Sequence, residues 1–162
     1  MFATYKRHNN KLYNKLVELS RNKFFYQEIG LPDDFQSRIL LIFFHLTTIF
    51  RASKKEKNKN KSQEIFDNIF LNIEYHIRES GYGDVAVNKK MKTLNKIFFD
   101  ILVNFDQEKN LPDIIKKYFL DEKNEENKKI KELANYFIKF EDFCFALDVN
   151  SMLNGSINFI YR

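Results

Sequence analysis

Twelve consecutive residues, I-L-L-I-F-F-H-L-T-T-I-F at 39–50, constrain this chain more than any other feature. A helix that spans a bilayer needs about 20 apolar residues, so this stretch is too short to cross one. It is also apolar on nearly every side: Ile39, Phe43, Leu46 and Phe50 make one stripe, and Leu40, Leu41, Ile42 and Phe44 fill the rest. A helix without a polar face has to sit inside the fold, with other elements packed around it. The remaining sequence can supply that cover. Apolar residues are 44 % of 162, with eighteen Phe and eight Tyr, which is enough for one core despite 30 % charged residues. Four Gly and two Pro are too few for a turn-rich sandwich or barrel.

Helical spacing recurs on both sides of the central stretch. From about residue 9 to 26, Leu12, Leu16 and Leu19 share a stripe with Tyr13 and Val17 nearby. Gly30 and Pro32 break the pattern, and Asp33 or Asp34 offers a carboxylate to the first free N–H groups of the next helix. After a lysine run, Ser62 opens a third helix carrying Ile65, Phe66, Ile69, Phe70, Ile73 and Ile77, which Gly81 ends through a left-handed cap. A fourth helix begins near Asn88 and turns Met91, Leu94, Phe98 and Ile101 inward. Pro112 fits a first helical turn, so a short fifth helix follows, and a last one carries Ile130, Leu133, Phe137, Phe140 and Cys144. The reading is all-α: a single compact bundle of about six helices around a buried central helix, forming one domain over 1–162. Helices at 111–147 and a tail at 148–162, frayed or docked as a hook, complete it.

The polar residues point to binding rather than catalysis. No glycine-rich phosphate loop, H-E-x-x-H or C-x-x-C occurs, and one Cys with three scattered His is a poor basis for a zinc site. His45 reads as a hydrogen-bonded core histidine or a ligand, and Cys144 as a buried inert thiol. His76 has Glu79 at helical spacing, which suits a surface pair. Neither a cofactor nor a metal is expected, and the chain is expected not to be an enzyme. The formal net charge is +5, and only six of the 27 basic residues are Arg. Five lysines, Lys54, Lys55, Lys57, Lys59 and Lys61, stand against Glu56 alone. They form a solvated loop or touch anionic lipid or ribosomal RNA. Arg38 and Arg51 either bridge helix ends or line a partner groove. The segment 81–92 is either a loop packed by its valines or a docking edge. Residues 1–7 lack the apolar stretch that follows the charges of a signal peptide.

Several motifs in order then resemble one family. R-x-x-F-F-Y at 21–26 and G-L-P-D at 30–33 lead through Arg38 to L-L-I-F-F-H-L at 40–46 and F-R at 50–51. F-D-x-x-F at 66–70, R-E-x-G-Y-G-D at 78–84 and V-x-K-K-M-K at 87–92 follow. Over about residues 12–105 this succession is similar to the ubiquinol–cytochrome c chaperone family. After the basic helix the chain reads F-F-D-I at 98–101, where that family often has an aromatic–Gly–Arg element. The resemblance implies a mostly helical, non-enzymatic assembly factor for respiratory complex III that binds newly made cytochrome b. It also implies a small partner protein and the ribosome as further partners, and no DNA. In a bacterium the place of action would be the cytoplasmic face of the inner membrane, with peripheral contact through the lysines of 54–61. Candidate partner-binding residues are Arg38, Arg51, Arg78, Gly81, Gly83, Asp84, Lys89, Lys90 and Lys92. The alternative is a basic helical module bound to RNA or the ribosome through the lysine run, whose binding falls steeply with salt.

Overall fold

The computed structural model describes residues 10–54, 59–106, 110–120 and 127–161. Seven α-helices and no strand occur among the described residues: α1 (Lys11–Ser20), α2 (Phe35–Ser53), α3 (Lys59–Glu79), α4 (Asp84–Asn104), α5 (Leu111–Phe119), α6 (Asn127–Phe145) and α7 (Val149–Leu153). A π-helical turn, Phe24–Glu28, stands between α1 and α2. The stripe expected to run to residue 26 therefore divides. α1 ends at Ser20, and Phe24 and Phe25 enter the core from the π-helical turn instead.

The all-apolar stretch is the axis of the molecule. α2 packs against α1, α4, α6 and α7, and every residue from Ile39 to Ile49 is buried. Asp34, not Asp33, caps it, accepting the Ser37 amide at 2.8 Å, an interaction worth about 1 kcal/mol. Phe43 stacks on Phe70 of α3 at 5.5 Å, and Phe44 meets Phe137 of α6 at 5.2 Å. Contact on all sides is what an all-round apolar helix requires, because each face left in water would forfeit about 25 cal/mol per Å².

α3 starts at Lys59, ahead of Ser62, and α4 starts at Asp84, ahead of Asn88. The segment 84–92 is thus helix rather than loop. Only one of its two valines packs: Val87 is fully buried, whereas Val85 is 83 % exposed. Gly81 sits at φ +95, the left-handed conformation expected just past a helix end. The C-terminal tail docks as a hook. It forms α7, turns at Gly155 (φ +77), buries Ile157 and lays Phe159 and Tyr161 against Tyr136 at 5.5 and 5.1 Å. A Cβ at Gly155 would come within 2.7 Å of the Lys11 carbonyl oxygen, so only glycine brings the tail that close to α1. Residues 55–58 of the lysine run, the acidic stretch 121–126 and His8 lie outside the described residues.

Candidate functional site

A cleft of about 360 Å³ opens where the start of α2 meets α1, the end of α3 and the start of α4. Val17, Ile39, Ile42 and Ile77 give it an apolar floor, and Tyr13, Phe35 and Tyr82 give it an aromatic rim. Phe35 is 40 % and Tyr82 49 % exposed, unusual for large rings on a helical domain of this size. Arg21, Arg38 and Lys90 bring positive charge to the same rim.

The acids beside them are already engaged. Asp33 accepts from Nε and Nη2 of Arg38 at 3.1 and 2.5 Å, and that bond raises the guanidinium pKa further. Asp34 is held by its cap to Ser37. Lys90 lies over the Tyr82 ring, 4.6 Å from its centroid, and Arg21 lies close enough to Tyr13 to offset part of the rise that burial imposes on that phenol. Neither Arg21 nor Lys90 meets a carboxylate among the described residues. The cleft is therefore apolar inside, with three cations against two carboxylates at its mouth and neither Arg21 nor Lys90 in an ion pair among the described residues.

Arg78 braces the turn that carries Tyr82. It donates to Glu74 one turn back at 3.1 Å and to Asp84 at the first position of α4, tying the two helices across Gly81 and Gly83. Gly83 has an ordinary φ of −73 and serves as the N-cap of α4. His76 does not pair with Glu79 as the spacing implied. Its ring stacks on Phe35 at 5.7 Å, nearly parallel, and closes one side of the cleft.

Of the residues singled out from sequence, Arg38 and Lys90 line the cleft, and Arg78, Gly81, Gly83 and Asp84 shape its edge. Lys89 and Lys92 are exposed on α4 and do not line it. Arg51 lies about 20 Å away along α2, at 1.5 Å per residue. There it donates to Glu141 of α6 at 3.3 Å and to the Phe105 carbonyl at 2.6 Å, bridging helix ends. Arg21, a member of the R-x-x-F-F-Y motif, Tyr13 and Phe35 were not among the candidate partner-binding residues. The exposure of the Phe35 ring and the lack of an acid partner at Arg21 bring them into the site, and both are tertiary facts.

Ser20 and Ser80, the serines of the cleft, donate to the carbonyls of Leu16 and His76 one turn back. Both hydroxyls are therefore spent on backbone carbonyls, and no group of His, Cys, Asp and Glu among the described residues is arranged to hold a metal ion. His45 is a core histidine. Its Nδ1–H donates to the Leu41 carbonyl at 2.6 Å, and its Nε2 accepts from the Tyr136 hydroxyl at 2.8 Å. Burial lowers its pKa to about 4, so the ring is neutral at pH 7.

The fold is helical, with an apolar cleft rimmed by positive charge, and comparison with known proteins says to which family such a chain belongs. The model of the ubiquinol–cytochrome c chaperone family matches residues 27–159, and the chain belongs to that family. The matched region takes in the part of the cleft built by α2, α3 and α4 and continues through α5, α6 and α7, while Tyr13, Val17, Ser20 and Arg21 precede it. The crystal structure of the Cbp3 homolog from Brucella abortus superposes with a TM-score of 0.72 at 21 % identity, covering 93 % of this chain and 87 % of that one. That likeness shows the same fold. No curated protein matches the sequence.

Proposed function

We propose that this chain is an assembly chaperone that holds newly made cytochrome b before it joins complex III, and that the cleft receives an apolar client segment bearing an acidic residue. Family membership supports the assembly role. One observation carries the assignment of the cleft. Residues from three separated motifs, Asp33 and Arg38, the turn 80–83, and Lys90, converge on one apolar opening that retains two unpaired cations. The floor removes apolar client surface from water, while Arg21 and Lys90 orient the segment and speed encounter. No helix among the described residues is long and apolar enough to cross a membrane, which fits capture of the client from the membrane surface. In a bacterium that surface is the cytoplasmic face of the inner membrane, and the ribosome and a small partner protein are the further contacts of this reading.

The test is recovery of tagged protein from its own detergent-solubilised membranes, with bound proteins identified by mass spectrometry. Wild type brings down cytochrome b without the other subunits of complex III, and Arg21→Glu with Lys90→Glu brings down several-fold less. Equal recovery by the double variant would remove the cleft from the mechanism. Recovery of ribosomal proteins and RNA alone, lost at moderate salt, would replace the reading with RNA binding.

A further inference from the structure

The outer face of α3 and α4 carries two ridges of opposite charge. On α4, Val85, Lys89, Lys92, Lys96, Phe99 and Val103 follow one another at steps of four and three, so they form a single stripe along the helix. All are exposed, Val85 at 83 %, Val103 at 78 % and Phe99 at 49 %, which is costly surface for a helix that could have turned polar residues outward. On α3, Glu64, Asp67 and Leu71 form a stripe by the same spacing, with Leu71 39 % exposed. The Phe66 and Phe99 rings, 5.5 Å apart, join the two helices at this surface. The charges on the two ridges do not neutralise one another. Among the described residues Lys89, Lys92, Lys96 and Glu64 have no ion-pair partner, and the Asp67 carboxylate meets only the Gln63 amide.

From this face we infer a further interaction surface, whose partner is a second copy of the same chain. A two-fold axis lying in the interface plane and parallel to the two helices lays the lysine ridge of one copy on the acidic ridge of the other. By symmetry the reciprocal contact forms at the same time. Phe99, Val103, Val85 and Leu71 then leave water together between the paired charges. Two helices about 30 Å long and about 20 Å across together offer about 600 Å² per copy, the lower end of what specific interfaces bury. The product is a weak dimer that responds to concentration and salt. An anionic bilayer fits this face less well, because the acids flanking the lysines would be repelled by the same lipids that attract them. The inference stands apart from the cytochrome b reading, since the cleft and its residues take no part.

Charge exchange tests it on the purified full chain by analytical ultracentrifugation. Wild type shifts from one chain toward two as concentration rises, and less so at high salt. Lys89→Glu with Lys92→Glu and Lys96→Glu, and separately Glu64→Lys with Asp67→Lys, each weaken self-association by about a hundred-fold, as like charges now face each other. An equimolar mixture of the two variants dimerises again, because each ridge meets its opposite. These are surface positions, and helicity by circular dichroism verifies that both variants fold. A wild type that stays monomeric at every concentration overturns the inference, as does a mixture that fails to associate. Wild type that floats with phosphatidylglycerol vesicles but never dimerises gives the face to lipid and overturns it equally.

Discussion

The two ends of α2 each carry an arginine, and they differ in what surrounds it. At the C-terminal end Arg51 sits over the Phe105 ring, bonds the carbonyl of the same residue and reaches Glu141, which is only 3 % exposed. At the N-terminal end Arg38 is half-buried against Asp33 on the rim of an open cleft, beside two cations that lack acids. The same residue type on the same helix thus locks the fold at one end and lines an open cleft at the other. Local surroundings decide this: charge taken out of water must be matched inside the protein, whereas charge at an opening stays solvated and available.

Breaking the locked end has the largest expected effect. Arg51→Ala leaves Glu141 buried with neither carboxylate oxygen paired, since Oε2 already lacks a partner, and should cost about 3–5 kcal/mol by chemical denaturation. Stability unchanged to within a fraction of that would show the acid to be neutral or solvated instead.

Acid should sharpen the contrast next, because the interior around α2 also holds His45. Folding keeps that ring neutral, with its pKa lowered from 6.5 to about 4, so the unfolded chain takes up the proton first. The contribution is complete above pH 6.5 and drains away as pH falls toward 4, up to about 3 kcal/mol. Urea unfolding at several pH values measures it. A His45→Gln chain should lack this part of the slope, and equal slopes would place the ring in contact with water.

The smallest effect belongs to the open end. Arg38→Ala should cost less than about 1 kcal/mol of stability, because its bond to Asp33 is solvent-exposed. Arg21→Ala and Lys90→Ala should be nearly silent in unfolding while still lowering client recovery. Comparable losses at Arg38 and Arg51 would erase the distinction between the two ends.

Much of the helix pattern was legible before any coordinates, and specific residues show where legibility stopped. The stripes of α2, α3 and α4 were readable because burial imposes a 3.6-residue period on apolar residues. The start of α4 was misplaced by four residues because V-A-V at 85–87 carries no period of its own, and the cap is a glycine backbone without a side-chain signal. The division of the first helix at Ser20 was also hidden, since R-N-K at 21–23 is as helix-compatible as its neighbours. In the site, Arg38 and Lys90 stood out as motif members. Arg21 stood out as a motif member too, but neither it nor Phe35 was read as part of the site, because what places them there is the absence of an acid nearby and the exposure of a ring.

The sequence by itself determined that the chain is helical, that 39–50 lies at the centre, and that no phosphate loop or zinc motif is present. Each of these follows from local composition and spacing. Only the tertiary structure decided that Arg51 meets Glu141 across ninety residues, that His45 accepts from Tyr136, and that residues of 13–21, 33–42 and 76–90 share a cleft. Those pairings depend on how helices cross and which faces touch. Period and propensity describe one helix at a time and carry no information about its neighbour.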